Sequence, residues 1–229
     1  KKQKFDQIHE QFPFLLSSLC NEAGVKNLIH VSALGVKEKH ISKYMQSKLQ
    51  GEKKIQQIFK SSVILRPSIC FGNEDKFFNT FASIAQFSPI LPLIGGGKTK
   101  FAPIYVGDVA EAIVRTLNLN NLEPKIYELG GPENYTFKEL MEIMLNEIKK
   151  KRFLISVPFS VAKFQSYFFQ MMPNPLLTPD QVEILKYNNI VSGEHPTLKD
   201  LGISGKTIQS VLPRYIYRFR TGGQFSRDN

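Results

Sequence analysis

The front of the chain alternates between amphipathic stretches and short apolar runs. Residues 5–24 carry apolar side chains at near-helical spacing, which predicts a helix that ends at Gly24. Residues 27–33 (NLIHVSA) predict a buried strand, and residues 41–60 predict an amphipathic helix. The apolar run after that helix predicts a second strand, closed by Arg66–Pro67 because proline fixes φ and removes a hydrogen-bond donor.

The middle of the chain continues the alternation of strand and helix patterns. Residues 104–106 predict a short strand, followed by a helix whose N-cap is Asp108. Another strand is predicted at 126–130. Thr136 with Glu139 has the spacing of a capping box, which predicts the start of a further helix.

Residues 68–101 predict an excursion from the sheet. Its phenylalanines predict a small hydrophobic core rather than a substrate pocket, and they are Phe71, Phe77, Phe78, Phe81 and Phe87. The excursion also holds Gly95–Gly97 followed by Lys98 and Thr99. A phosphate-binding loop would need glycine where Pro92 stands, so this run predicts an ordinary loop.

The composition changes near residue 150, which predicts a domain at 1–150, with the excursion inside it, and a second, mostly helical lobe at 151–229. A helical apolar stripe in this lobe consists of Val157, Val161, Phe164, Phe168 and Met171. Three partners remain open for it: the core of the lobe itself, a large membrane complex, or a lipid interface. Thr178 followed by Pro179 predicts another helix start.

The C-terminal segment 214–229 mixes arginines with aromatic residues: Arg214, Tyr215, Tyr217, Arg218, Phe219, Arg220, Phe225 and Arg227. Such mixtures are common at protein interfaces. They also bind single-stranded nucleic acid, but no nucleic-acid fold signature accompanies this one. The segment therefore predicts a protein interface and no nucleic-acid partner.

The candidate chemistry lies on the predicted helix 41–60. Tyr44 and Lys48 are four residues apart, so both side chains lie on one helix face. A lysine ammonium beside a phenol lowers the tyrosine pKa from its usual value near ~10 and suits proton transfer during hydride transfer. Ser32, at the end of the preceding strand, could bond the same substrate oxygen. The alternative is an ordinary half-buried tyrosine with a surface lysine, because such a pair arises by chance roughly once in a chain like this.

Several blocks of sequence carry a family resemblance: HVSALG, SKYMQSKLQGEK, ILRPSICFG, FAPIYVGDVAEAI and YELGGPENYTFKELMEIM. Together they resemble the short-chain dehydrogenase/reductase superfamily, in its extended or atypical branch. The segments LTPDQVEILK and HPTLKDLGI and the tail RYIYRFR are similar to the nucleotide-binding accessory subunit of respiratory complex I, the subunit-9-like family. The resemblance covers nearly the whole chain.

This resemblance implies the fold, the cofactor and the site. The expected fold is α/β, the C-terminal portion of a Rossmann-type doubly wound parallel sheet with a small helical lobe. The expected cofactor is NAD or NADP. The implied catalytic residues are Ser32, Tyr44 and Lys48, and the implied cofactor-binding residues are Tyr44, Lys48, Arg66, Pro67 and Ile69.

The glycine-rich turn that holds the pyrophosphate in such folds follows the first strand, and no such motif occurs in residues 1–60. We therefore expect roughly 90–100 further residues upstream in the complete fold. Without them strand 27–33 would be an open sheet edge. The chain is then predicted to be one piece of a longer or split protein, or to be poorly stable alone.

The composition indicates that the binding partner is acidic, but it does not identify which kind of acidic partner. The 229 residues carry a net charge of +10, which suits a nucleotide, an anionic lipid, a nucleic acid or an acidic protein face. Cys20 and Cys70 are far apart and fit a reducing compartment. Neither they nor the four histidines show metal-ligand spacing, so no metal site is predicted. No signal peptide or 18-residue apolar run is found.

Three functions follow as hypotheses. The first is an NAD(P)H-binding accessory or assembly protein of the complex I type, without turnover of its own, in the bacterial cytoplasm or mitochondrial matrix and in contact with the inner membrane. Its partners would be complex I subunits or a complementary N-terminal half. The second is an active reductase or epimerase that uses Ser32, Tyr44 and Lys48. The third is a non-functional product of an interrupted gene.

Overall fold

The structure is a computed structural model that describes residues 5–118, 125–173 and 175–223. Phe225 and Arg227 of the predicted interface segment lie outside the described residues. In the described part of the chain the strands are β1 (Ile29–Val31), β2 (Val63–Pro67), β3 (Cys70–Phe71), β4 (Ile90–Ile94), β5 (Lys100–Phe101), β6 (Ile104–Tyr105), β7 (Lys125–Leu129), β8 (Tyr135–Thr136) and β9 (Phe153–Val157).

The α-helices of the same residues are α1 (Phe12–Glu22), α2 (Lys43–Ile58), α3 (Phe78–Phe87), α4 (Val106–Leu117), α5 (Phe137–Glu147), α6 (Phe159–Phe169), α7 (Pro179–Ile184), α8 (Ile208–Val211) and α9 (Pro213–Ile216). A π-helical turn (Gln7–Gln11) leads into α1. Short 3₁₀ turns occur at Gly95–Gly97, Lys199–Leu201 and Tyr217–Phe219.

The chain forms two compact units, and they are not divided at residue 150 as the sequence predicted. The first unit consists of 1–68, 108–130 and 190–204, and the second of 69–107, 131–189 and 205–229. The chain therefore leaves and re-enters each unit several times. A composition change along the sequence cannot reveal such a division, because each unit draws on distant segments.

The first unit contains a parallel sheet in the order β1–β2–β7, with Ile29 opposite Val63 and Val63 opposite Lys125. The middle strand β2 is buried, with Ile64 and Leu65 fully inaccessible. A parallel strand covered on both faces needs this kind of continuous apolar run. The prediction of an α/β fold with a parallel Rossmann-type sheet is confirmed.

Helix α2 begins where Ser42 caps it, because the Ser42 hydroxyl accepts a hydrogen bond from the Met45 N–H at 3.2 Å. It buries one face through side chains such as Leu49 and Ile55. Gly51 lies where the main chain of the π-helical turn approaches: a Cβ there would be 1.9 Å from the His9 carbonyl oxygen. Glycine is what allows this close packing.

Within its described residues, the second unit contains three two-stranded sheets: parallel β3–β6, parallel β4–β9 and antiparallel β5–β8. Its core includes Phe71 and Phe78 from the predicted phenylalanine cluster, both fully buried, together with Met141 and Met144 of α5. Phe87 is the exception, because 91% of its surface is exposed. The capping box predicted at Thr136 is present, and so is the helix start predicted at Thr178.

One local prediction is wrong, and two strands were missed. Helix α4 begins at Val106, so Asp108 lies in its first turn and not at the N-cap. The buried Asp108 carboxyl there still complements the positive end of the helix dipole. Strands β4 and β9 were not predicted, because β4 contains Pro92, which only an edge position tolerates, and β9 resembles the start of a helical stripe.

Helix α6 exposes the apolar stripe that the sequence predicted. It packs through small residues, with Ala162 and Ser166 buried, and it leaves Phe164 65% and Phe168 59% exposed. Val157 belongs to β9 and not to this helix. Among the described residues, the core of the lobe therefore does not cover Phe164 and Phe168.

The described part of the arginine–aromatic segment packs within the second unit. Tyr215 is 5% exposed, and its hydroxyl donates to Asp75 Oδ2 at 2.5 Å. Arg218 donates to the Asn73 carbonyl and to Asn79 Oδ1. These side chains stabilise the unit itself, so the predicted role of 214–229 as an interface is not supported for Tyr215.

Candidate functional site

The site is built on the N-terminal half of α2, where the structure brings Tyr44 and Lys48 together. Lys48 Nζ lies 6.0 Å from the centre of the Tyr44 ring, over its face. The helical repeat places both side chains on one face, as the four-residue spacing predicted. The ammonium also donates a hydrogen bond to the Val31 carbonyl at 3.3 Å, which holds it against the end of β1.

The electrostatics of Lys48 are set by burial. Removing the ammonium from water lowers the pKa of Lys48, while the Glu52 carboxylate nearby raises it and only partly offsets the burial. A lysine with a lowered pKa releases its proton more readily than a surface lysine. The arrangement therefore suits a group that positions or exchanges a proton beside Tyr44.

Ser32 follows β1 directly and is only 5% exposed. Its N–H donates to the Leu65 carbonyl at 2.7 Å, which fixes the residue against β2. Its hydroxyl is buried and has no hydrogen-bond partner among the described residues. Buried hydroxyls are nearly always bonded, so this one is suited to the oxygen of a bound molecule.

Two residues beside Tyr44 were missed by the sequence analysis. The Phe5 and His9 rings lie edge-on to Tyr44, with centroids at 5.8 and 5.2 Å, and His9 Nδ1 is hydrogen-bonded to Ser47 Oγ at 2.9 Å. Burial, and then the Lys48 charge, lowers the pKa of His9. No local pattern signals these contacts, because more than thirty residues separate His9 from α2.

His30 adds a second imidazole to this group. Burial lowers the pKa of His30 to about 4, with smaller contributions in the same direction from Lys48 and His9. Its Nε2 is buried without a partner in the described part of the chain. At neutral pH this imidazole is therefore uncharged.

The implied cofactor residues on β2 have structural partners. Arg66 is 8% exposed, and its guanidinium is paired with the buried Glu52 carboxylate. The Pro67 carbonyl accepts the Leu34 N–H at 2.9 Å. Ile69 belongs to the second unit and packs on its core. The Arg66 side chain thus serves the fold, and any contact with a cofactor is left to the main chain.

Three other kinds of feature were considered: the glycine turn, metal-ligand clusters and membrane-spanning helices. The Gly95–Gly97 turn has positive φ at all three residues and packs beside Phe159 and Lys138. Among the described residues, no group of three or more His, Cys, Asp or Glu side chains could hold a metal ion. No helix in that part of the chain is both long enough and apolar enough to cross a bilayer.

Comparison with known proteins finds relatives that are named as subunit 9 of mitochondrial NADH dehydrogenase. Over 210 residues the chain is 32% identical to the mitochondrial NADH dehydrogenase (ubiquinone) 1 alpha subcomplex subunit 9 of Arabidopsis thaliana. The alignment covers 87% of this chain and 52% of the plant protein. Over 219 residues it is 31% identical to the subunit of the same name from Mus musculus. That alignment covers 95% of this chain and 58% of the mouse protein. The chain spans little more than half the length of these relatives. No protein-family profile matches it.

Among solved structures, the chain is similar to a dTDP-glucose 4,6-dehydratase from Streptomyces venezuelae with NAD bound. The TM-score is 0.66 at 17% identity, over 93% of this chain and 66% of that enzyme. The fold is therefore that of the Rossmann-type short-chain dehydrogenases and reductases. Within that class, the chain is a homologue of subunit 9 of mitochondrial NADH dehydrogenase.

Proposed function

We propose that the chain is part of an NAD(P)H-binding accessory or assembly protein of respiratory complex I, without turnover of its own. The observation that carries the proposal is the similarity to subunit 9 of two organisms over 87% and 95% of the chain. Both relatives are named as mitochondrial. We accordingly place the protein in the mitochondrial matrix, at the periphery of the inner membrane.

The residues present fit one end of a dinucleotide. Lys48 and Tyr44 on α2, with the unbonded Ser32 hydroxyl beside β1, would hold the nicotinamide and its ribose. The main chain at Arg66 and Pro67 would line the same end. Bound NAD(P)H can supply a hydride; in the accessory role it instead stabilises the fold. The pyrophosphate cradle is not among these residues, because no glycine-rich turn occurs in 1–60.

Helix α6 is the proposed contact with complex I. Its exposed face is continued by Met171, which is 83% exposed, and Phe164 and Phe168 pack edge to face with centroids at 5.2 Å. The opposite side is fixed to α7, because Lys163 pairs with Glu183 at 2.6 Å. A preformed aromatic face on an anchored helix resembles the centre of a protein interface.

Association is tested by recovering an affinity-tagged chain from respiratory membranes solubilised in mild detergent. Native electrophoresis with mass spectrometry should find it with NADH dehydrogenase subunits. Phe164→Asp with Phe168→Asp should reduce that recovery at least ~10-fold, since buried aromatic anchors dominate interfaces. Phe87→Asp is the matched control, because Phe87 is also exposed but lies on α3. A wild-type chain that migrates alone, or binds only lipid vesicles, would refute the association.

An active short-chain reductase or epimerase is the second candidate function. It is favoured by the unbonded buried hydroxyl of Ser32 beside the carbonyl that holds Lys48. In this role Tyr44 exchanges the proton at the substrate oxygen. Tyr44→Phe should then abolish hydride transfer by the complete protein and leave NAD(P)H binding largely unchanged. Equal turnover by the variant would eliminate that role for Tyr44.

A further inference from the structure

The parallel strands β4 and β9 of the second unit carry apolar side chains on the side that faces outward. Ile90 lies opposite Phe153, and Pro92 lies opposite Ile155. Residues that lie directly opposite each other in neighbouring strands project from the same side of a sheet. All four residues are exposed, and Phe153 is 74% exposed. We call Ile90, Pro92, Phe153 and Ile155 the outer face of this sheet.

The other side of the same two strands supplies the core. Leu91 and Leu93 are buried, and Leu154 packs against the hydrophobic core of the unit. A sheet with one solvated face normally carries polar residues on that face, and a parallel sheet is normally covered on both faces. The outer face therefore has the composition of a covered surface, although its side chains are exposed within the described part of the chain.

Basic residues come directly before the outer face. Lys150 and Lys151 precede β9, and Lys151 is exposed. The next residue, Arg152, donates a hydrogen bond from Nε to the Ala85 carbonyl at 2.9 Å, which fixes the start of β9 against α3. The two lysines are therefore held at the end of the sheet where Phe153 lies.

The other end of the sheet is also basic. A Cβ on Gly96 would lie 3.4 Å from Ser156 Oγ and 3.9 Å from Lys98 Cε, so Lys98 lies beside the end of β9. The segments 76–107 and 148–179, which contain β4 and β9, carry three and five basic residues and no Asp or Glu. The outer face is thus bordered by positive charge at both ends.

We propose that the outer face docks on the surface of an anionic phospholipid bilayer. The side chains of Ile90, Phe153 and Ile155 enter the boundary between headgroups and acyl chains, and the bordering lysines contact the lipid phosphates. Binding of this kind gains from buried apolar area together with attraction to anionic lipids. The site goes beyond the proposed function, whose protein contact lies on α6 and shares no residue with the outer face.

The kind of basic residue favours lipid over a protein partner. Protein interfaces are enriched in arginine and depleted of lysine, whereas the border of the outer face consists of Lys98, Lys150 and Lys151. The one arginine beside them, Arg152, is hydrogen-bonded within the unit. A lysine can also lay its apolar stem along the outer face while its ammonium reaches a phosphate.

The test is co-flotation of the intact chain with lipid vesicles. Vesicles of phosphatidylcholine with about one third phosphatidylglycerol should bind the chain at least ~10-fold more strongly than vesicles of phosphatidylcholine alone, since lysines are attracted to an anionic surface. Added salt should weaken the binding, because it screens that attraction. Equal binding to the two kinds of vesicle, or no binding to the anionic ones, overturns the inference.

Two double variants locate the contact. Phe153→Asp with Ile155→Asp should reduce binding to the anionic vesicles at least ~10-fold, because it places two negative charges in the apolar contact. Lys150→Gln with Lys151→Gln should reduce it by about 10-fold or more. The second variant leaves the apolar side chains in place, so a folding defect does not account for its loss of binding. Urea unfolding of both variants checks that they fold like the parent chain.

The control is Phe164→Asp with Phe168→Asp on α6, where the side chains are also exposed and aromatic. This variant should bind the anionic vesicles like the parent chain. Binding that is lost in the control, or that persists in Phe153→Asp with Ile155→Asp, overturns the inference. A dimeric mass that becomes monomeric in Phe153→Asp with Ile155→Asp would also overturn it, in favour of a second copy. Because the vesicles contain no protein, the outcome does not depend on association with complex I.

Discussion

Glu52 and Arg66 form a two-point ion pair that joins α2 to β2. Arg66 Nε lies 3.0 Å from Glu52 Oε1, and Arg66 Nη2 lies 2.6 Å from Glu52 Oε2. Both side chains are almost inaccessible to solvent: 9% of the Arg66 side-chain surface and 2% of the Glu52 side-chain surface are exposed. Parallel guanidinium–carboxylate bonds of this kind fix geometry as well as charge. The pair therefore sets how the helix that carries Tyr44 and Lys48 lies on the sheet.

Removing one partner of this pair should destabilise the first unit strongly. Arg66→Met leaves the Glu52 carboxylate buried without its counter-ion, and Glu52→Met does the same to Arg66. We expect each to lower the free energy of unfolding by about 3–5 kcal/mol, and the double variant to cost much less than their sum. Urea-induced unfolding measures the free energy of unfolding of the two single variants and of the double variant.

The control is the exposed pair of Lys53 and Glu38, whose side chains are 41% and 69% accessible. Lys53→Met should change the free energy of unfolding by less than about 1 kcal/mol, because water screens this pair. If Arg66→Met costs no more than Lys53→Met, the buried pair does not stabilise the unit.

Gly51→Ala should destabilise the first unit, although alanine is the better helix former. The new Cβ would lie 1.9 Å from the His9 carbonyl oxygen, so the π-helical turn before α1 must move. Overpacking of this kind costs about 1–3 kcal/mol, which outweighs the propensity gain of about 1 kcal/mol. Thermal unfolding measures the change. Gln57→Ala, at an exposed position of α2, is the control and should stay within about 0.5 kcal/mol of the parent. A stabilised Gly51→Ala variant would contradict the close packing.

Local signals account for what the sequence predicted correctly. The Thr136–Glu139 box and the Thr178–Pro179 start were found because a helix cap involves residues only three or four apart. The central strand β2 of the first unit was found because its apolar run, Val63–Leu65, is continuous. The pairing of β4 with β9 was missed, since more than fifty residues separate the two strands and Pro92 disguises the first.

The candidate site shows the same limit. Tyr44 and Lys48 were placed on one face by helical periodicity alone. The Arg66–Glu52 pair and the contact of His9 with Tyr44 depend on how distant elements pack, which no spacing in the sequence encodes. The exposed stripe of α6 was found as a pattern, but only the structure shows that small residues, and not the aromatic ones, face the interior.

Acid should destabilise the first unit through His30. Burial and then the nearby charges of Lys48 and His9 hold the pKa of folded His30 at about 4, below its ordinary 6.5. Between these values the unfolded chain binds more protons than the folded one. Stability is therefore complete above pH 6.5 and falls as the pH drops toward 4, by up to about 3 kcal/mol.

His30→Phe removes the titrating group and keeps an aromatic ring at that position. Urea unfolding of this variant should show a weaker pH dependence between pH 4 and 6.5 than the parent chain. The comparison is made as a slope, so a uniform change in stability from the substitution does not affect it. Equal slopes in the two proteins would show that His30 is not held uncharged by burial.

Tyr215→Phe should weaken the second unit by about 1.5–3 kcal/mol, because it removes a hydrogen bond to the charged Asp75. Burial, and then that carboxylate, raises the pKa of Tyr215 well above its usual 10. The unfolded chain therefore loses this proton before the folded one, so the bond contributes fully below pH 10 and its contribution falls as the pH rises further. Urea unfolding at pH 7 and above pH 10 should show a steeper alkaline loss in the parent than in the variant. Tyr167→Phe, at a side chain that is 50% exposed, is the control and should match the parent at both pH values.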